Sequence, residues 1–181
     1  MSTPALSNVI RQRKTTGGII LTASHNPGGL NGGDFGIKFN MSNGGPAPTD
    51  FTDRIYKMSG EIKSYKICKD LKCDFSKLAC HQFKIGEDTF DVEVIDSLDD
   101  YVDLMKSIFD FDLIKEHLKG IKILINSLHG VTGPYAERIF GTELGASAES
   151  FLKTKILPDF GGGHPDPNLT YAGTYFERGH S

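Results

Sequence analysis

Gly17-Gly18-Ile19-Ile20-Leu21-Thr22-Ala23-Ser24-His25-Asn26-Pro27-Gly28-Gly29 is an apolar run that breaks abruptly into small, polar and turn-forming residues. Ile19, Ile20 and Leu21 form a short continuous apolar stretch, which predicts a strand covered on both faces. Asn26-Pro27-Gly28-Gly29 then forbids any regular element from continuing. Ser24 is therefore delivered where a strand ends, a common place for chemistry in open α/β sheets. Thr22, Ala23 and the glycines are small enough to let a bulky anion approach the backbone, whose N–H groups in such a turn can form an anion-binding nest. The pattern predicts a phosphate site. Ser, Asn, Pro and Gly also cluster in loops for conformational reasons alone, so a plain turn serine is the competing reading.

On the N-terminal side, Thr3 is suited to cap a helix and Pro4 to open it, with Leu6, Val9 and Ile10 as its apolar face. That helix, to about Lys14, feeds the Ile19 strand. On the other side, Phe35 to Phe39 alternates around Gly36 and Lys38, predicting a strand that returns Lys38 toward the serine. Asn43-Gly44-Gly45-Pro46 is a turn, and Thr49 or Asp50 caps a helix carrying Phe51, Ile55, Met58 and Ile62. Short strands or loops are expected from Lys63 to Asp88. Phe90 to Ile95 alternates as a strand, and Asp96-Ser97 caps a helix bearing Leu98, Tyr101, Val102, Met105, Ile108 and Phe109. A helix through Ile114 and Leu118 stops at Gly120, and Ile121 to Ile125 follows as a strand. The Asn126-Ser127-Leu128-His129-Gly130 loop leads to a helix from Pro134 to Phe140, another strand is expected within Ser150 to Leu157, and Asp159 to Asn168 is a Gly/Pro loop. The fold class expected is α/β, a mixed or parallel sheet with flanking helices.

The 181 residues are 38% hydrophobic and 24% charged, enough for one ordinary core or two small ones. A net charge of -3 without a basic cluster argues against nucleic acid as a main partner, because that binding draws heavily on Lys and Arg. No apolar segment approaches the roughly 18 residues that span a bilayer, and no signal sequence follows Met1, so a cytoplasmic chain without a membrane partner is expected. Cys68, Cys73 and Cys80 are odd in number and lack Cys-x-x-Cys pairing, so reduced structural thiols are expected even with His81 beside the last.

Thr22-Ala23-Ser24-His25-Asn26-Pro27, followed by Asp34-Phe35-Gly36-Ile37-Lys38-Phe39-Asn40, resembles the active-serine loop of the α-D-phosphohexomutases, most closely the eukaryotic-type phosphoglucomutases. Ser2-Thr3-Pro4-Ala5, Asn43-Gly44-Gly45-Pro46-Ala47-Pro48, Ser107-Ile108-Phe109-Asp110-Phe111, His129-Gly130 and His164-Pro165-Asp166-Pro167-Asn168 extend the resemblance, in one order, to about Tyr171. It implies an incomplete first domain over residues 1–98 and the start of a similar second domain over 99–181, a chain truncated at both ends. The family's metal-binding Asp-Gly-Asp-Gly-Asp-Arg loop has no counterpart in Gly173 to Ser181. In the complete enzyme the resemblance implies interconversion of glucose 1-phosphate and glucose 6-phosphate. It further implies that the phosphoryl group rides on Ser24, that Mg²⁺ binds Ser24 through that phosphate, and that glucose 1,6-bisphosphate serves as intermediate and activator.

By the same resemblance, His25 exchanges protons with a sugar hydroxyl and Lys38 places a charge near the transferring phosphoryl. Without it, His25 is a surface imidazole and Lys38 a solvated strand-edge charge. Asp34, Asp159, His164 and Asp166 are potential cation ligands by type, but His164-Pro165-Asp166-Pro167 is first a rigid turn. Asn31-Gly32-Gly33-Asp34 holds one glycine more than the family's run, which is expected to lengthen and loosen the link between Ser24 and Lys38. The partner implied is a phosphorylated hexose. The alternative is a catalytically inactive piece that acts as a binding module, self-associates through exposed edges, or has no function. Serine hydrolysis by Ser24 beside His25 is disfavoured, since neighbouring side chains in extended chain point apart and no Gly-x-Ser-x-Gly elbow is present.

Overall fold

The computed structural model describes residues 1–26, 28–29, 31–69, 71–163 and 165. They form a mixed α/β structure of small sheets with helices, in two compact units: Met1–Pro46 together with the chain from Leu98 onward, and Ala47–Ser97.

In the larger unit, helix α1 (Thr3–Gln12) forms the centre of the core, with Ala5, Val9 and Ile10 buried. Ser2, not Thr3, is its cap: the Ser2 hydroxyl accepts from the Ala5 N–H at 3.3 Å, leaving Thr3 and Pro4 in the first turn. Strand β1 (Gly17–Thr22) pairs antiparallel with β2 (Gly36–Met41), Ile20 opposite Lys38 and Thr22 opposite Gly36. One face of this pair lies on α1. A side chain at Gly18 would stand 2.7 Å from Ile10 Cδ1, and the buried Asn40 amide donates to Ser7 Oγ and to the Gly44 carbonyl.

The opposite face corrects the expectation of a strand covered on both sides. Ile19, Leu21 and Ile37 are 67%, 65% and 69% exposed. A continuous apolar run specifies only a strand; burying its second face takes a second layer, and α1 supplies one layer.

Helix α3 (Ser97–Ile108) contributes buried Val102, and α4 (Phe111–Leu118) is capped by Asp110, whose carboxylate accepts from the Leu113 N–H at 2.9 Å. Asn8 donates to the Asp100 carbonyl at 2.9 Å, tying α1 to α3. The Ser2 N–H donates to the Tyr135 hydroxyl at 3.1 Å, and Tyr135 meets Tyr101 edge to face at 5.4 Å.

The Ile121–Ile125 strand is realised only at its end. Strand β5 (Ile125–Asn126) pairs parallel with β6 (Phe151–Leu152), itself shorter than the Ser150–Leu157 run suggested. Both stop where the backbone turns left-handed, at Leu128 (φ +50°) and Lys153 (φ +52°). Helix α5 (Gly133–Ala136) continues as a π-helical stretch, Glu137–Glu143. There Glu143 accepts from Lys106 at 2.6 Å and Arg138 at 3.0 Å, and these bonds, Lys106 first, hold its carboxyl below its ordinary value.

The smaller unit holds α2 (Thr49–Glu61) and the antiparallel pair β3 (Ala79–Ile85) and β4 (Asp88–Val94). β3 resolves the mixed stretch after Lys63 into a hairpin with β4, turning at Gly86 (φ +66°). Pro48 stands at the cap position of α2, ahead of the expected Thr49 or Asp50, and none of that helix's residues is buried. One helix and one hairpin enclose too little volume to cover an apolar stripe.

Candidate functional site

Ser24 follows β1 after Ala23 and adopts a left-handed backbone, φ +59°. Its N–H donates back to Thr22 Oγ1 at 2.9 Å, and Asn26 N–H closes the turn on the Ala23 carbonyl at 3.0 Å. Had β1 run straight on, Ser24 would lie about 13 Å beyond Ile20, farther than a lysine side chain reaches. The left-handed turn instead folds the serine back over the sheet. Lys38, opposite Ile20 in β2, donates from Nζ to Ser24 Oγ at 3.1 Å. Ser24, His25 and Lys38 are all exposed, open to a ligand from solvent.

The extra glycine does not separate serine from lysine, which corrects the expected loosening. Gly28 bridges to Asp34, and the Asn26 side-chain amide donates to the Asp34 carboxylate, so the two ends of the glycine-rich stretch meet in a neck. Gly33 sits in that neck, where a Cβ would come within 2.6 Å of Gly29 N. Gly32, at φ +77°, has nothing within 4 Å of its missing Cβ. The added length lies beyond that neck, while the β1–β2 ladder and the left-handed turn at Ser24 set the distance from Ser24 to Lys38.

The structure thus brings Ser24 and Lys38 together, with His25 next in the chain. Asp34 closes the loop through Asn26, and Asp159 accepts from the Gly161 N–H at 3.0 Å as a turn cap. His164 and Asp166, like Pro27, Pro167 and Asn168, lie outside the described residues. Among the described residues no group of three or more His, Cys, Asp or Glu side chains could hold a metal ion. Cys68, Cys73 and Cys80 are free thiols.

Two contributors escaped the sequence reading: Thr22 as acceptor for the Ser24 N–H, and the Asn26–Asp34 latch. A hydroxyl two residues before a turn serine, and an Asn and Asp flanking a glycine-rich loop, are the signals that find them.

Residues 1–66 match the family described as phosphoglucomutase/phosphomannomutase, alpha/beta/alpha domain I. The chain is 53% identical to phosphoglucomutase-1 of Homo sapiens over 182 residues, 98% of this chain and 32% of that protein. It is 53% identical to phosphoglucomutase 1 of Drosophila melanogaster over 178 residues, 95% of this chain and 32% of that one. Phosphoglucomutase-like protein 5 of Homo sapiens is 51% identical over 98% of this chain and 32% of its own length. A solved structure from Paramecium, the exocytosis-sensitive phosphoprotein pp63/parafusin in its open form, superposes with a TM-score of 0.85 at 47% identity, covering 98% of this chain and 33% of that one. The chain spans about a third of the length of the curated relatives it matches.

Proposed function

The chain is a segment of the phosphoglucomutase family, and on that premise we propose that Ser24 is the phosphoryl carrier in the interconversion of glucose 1-phosphate and glucose 6-phosphate. The observation that carries this reading is the Lys38 ammonium donating to Ser24 Oγ at 3.1 Å. A serine oxygen is both nucleophile and leaving group. The Oγ–P bond forms as a sugar O–P bond of glucose 1,6-bisphosphate breaks, and the reverse step returns the phosphoryl to the other hydroxyl. The serine proton passes to the departing sugar oxygen, with His25 assigned to the exchange. Lys38 offsets charge developing on the transferring group and then on phosphoserine, which adds roughly two negative charges to the loop.

The substrate class is a phosphorylated hexose. Residues 1–98 would carry the later part of domain I and 99–181 the beginning of domain II, a division that the match over 1–66 supports for its first part. Mg²⁺, expected for the complete enzyme, would neutralise charge on the Ser24 phosphate. The described residues supply no carboxylate cluster for such a hard dication, so by themselves they do not make its site. A cytoplasmic location goes with the family reading; among the described residues no helix is long and apolar enough to cross a membrane. A second, non-catalytic reading draws on the exposed Ile19, Leu21 and Ile37, which offer an apolar face to another copy of the chain. A coupled assay on the native-length protein separates the two. Interconversion of the two glucose phosphates, abolished by Ser24→Ala, is expected; turnover that survives the substitution rejects the carrier.

A further inference from the structure

A cavity of about 210 Å³ is lined by Leu128, His129, Lys153, Phe160, Gly161 and Gly162, among others. Two residues before Phe160, the chain passes the serine loop: a Cβ at Gly28 would stand 3.8 Å from the Pro158 carbonyl oxygen. Six non-glycine described residues have a left-handed backbone; Leu128, His129, Lys153 and Phe160 line this cavity, and Ser24 is a fifth. Bulky residues are rarely held so, and such conformations concentrate where a ligand is bound.

His129 is pinned at three of its four polar groups. Its N–H donates to the Lys153 carbonyl at 2.8 Å, and its carbonyl accepts from the Leu157 N–H at 3.1 Å. Its Nδ1 lies 2.8 Å from the Lys155 carbonyl, which can only accept. Nδ1 therefore carries a proton, and in the neutral ring the lone pair falls on Nε2. That edge of the ring faces Gly161, where a Cβ would approach Cδ2 to 2.9 Å and Nε2 to 3.3 Å. The glycine leaves the imidazole edge open to the cavity.

We propose that this cavity, whose Phe160 segment reaches the serine loop at Pro158, is a sugar-phosphate subsite in which His129 Nε2 accepts a hydrogen bond from a hydroxyl of the phosphorylated hexose. The proposal rests on the reading of Ser24 as carrier and adds a contact that reading does not contain. A lone-pair acceptor and a lysine on the wall of a small glycine-lined cavity suit a compound that offers both a hydroxyl and an anionic group, which a sugar phosphate does and inorganic phosphate or glucose does only in part.

The test follows the His129 ring nitrogens by long-range ¹H–¹⁵N NMR in the native-length protein during separate titrations with glucose 1-phosphate, glucose and inorganic phosphate. Glucose 1-phosphate is expected to shift Nε2 saturably while Nδ1 stays put, and Gly161→Ala is expected to weaken that response at least tenfold. In Ser24→Ala the shift should persist, which keeps the two readings apart. A silent His129 with phosphoryl label on Ser24 overturns the subsite and leaves the carrier standing. An equal shift from inorganic phosphate overturns the hydroxyl contact. A shift with label on another residue supports the subsite and removes the carrier.

Discussion

Ser24 and His129 share one backbone move, a left-handed residue at φ +59° just beyond a short strand, and the fold treats the two in opposite ways. At His129 the backbone N–H, the carbonyl and Nδ1 are all bonded within Lys153–Leu157, so the residue is fixed by the chain that faces it. At Ser24 the backbone N–H is held by Thr22 two residues back, and the exposed hydroxyl accepts from Lys38. The first arrangement positions a ring; the second presents an oxygen. The difference teaches that a strained turn at a strand end does not itself mark a reacting atom. What marks it is which polar atoms the surrounding structure leaves uncommitted.

If the His129 corner is the rigid partner of this pair, damage to its seat should be the most costly. A Cβ at Gly133 would fall 1.8 Å from the Thr154 carbonyl oxygen, against backbone that cannot yield cheaply. Gly133→Ala is expected to destabilise the protein by more than about 3 kcal/mol in urea unfolding, at or above the upper end of overpacking penalties. A loss below about 1 kcal/mol would erase the contrast with the serine loop.

Lys38→Met addresses the other half. Loss of one donor aimed at a reacting group removes about a hundredfold or more in rate, while an exposed cation contributes little to stability. The rate of phosphoryl loading onto Ser24 should fall by that order with the melting temperature unchanged. His129→Ala should instead lose about 1 to 2 kcal/mol of stability, from the Nδ1 bond and its packing, and should raise the sugar-phosphate concentration needed for loading while Ser24 remains the labelled residue.

The smallest effect concerns the π-helical turn that leads from α5 behind the same corner. Hydrogen bonds from Lys106 and Arg138 depress the Glu143 carboxyl below 4.5. A depressed folded value stabilises above the unfolded one, and that contribution is lost as pH falls through the folded value. The acid limb of the stability curve, below about pH 4.5, should therefore be shallower in Glu143→Gln than in the parent. An identical limb in both would show that the exposed part of this network is screened away.

Much of this was legible in the chain itself. Thr3-Pro4, the Asn43-Gly44-Gly45 turn and the alternation of Phe90 to Val94 fixed local structure because their signals are local. Lys38 was expected near the serine because the alternating Phe35–Phe39 strand returns it there, and the observed ladder sets it on the same face as Thr22. The exposure of Ile19 and Leu21 was not legible, since period and polarity cannot tell how many layers pack on a strand. The Leu128–His129 corner was also missed: neither residue type favours a left-handed backbone strongly enough to announce one, and the carbonyls of Lys153 and Lys155 that hold it come from more than twenty positions away. The extra glycine misled for a related reason. Loop length is a sequence quantity, but whether it separates two side chains depends on the Gly28–Asp34 neck, which only the folded chain shows.

The central claim is that Ser24 carries the phosphoryl group, and the direct measurement is phosphopeptide mapping of the native-length protein after brief incubation with labelled glucose 1,6-bisphosphate. Label is expected on the peptide containing Ser24, abolished in Ser24→Ala and slowed about a hundredfold in Lys38→Met. Labelling of Ser24 that is indifferent to Lys38 would remove the lysine's role, and label on any other residue would contradict the central claim.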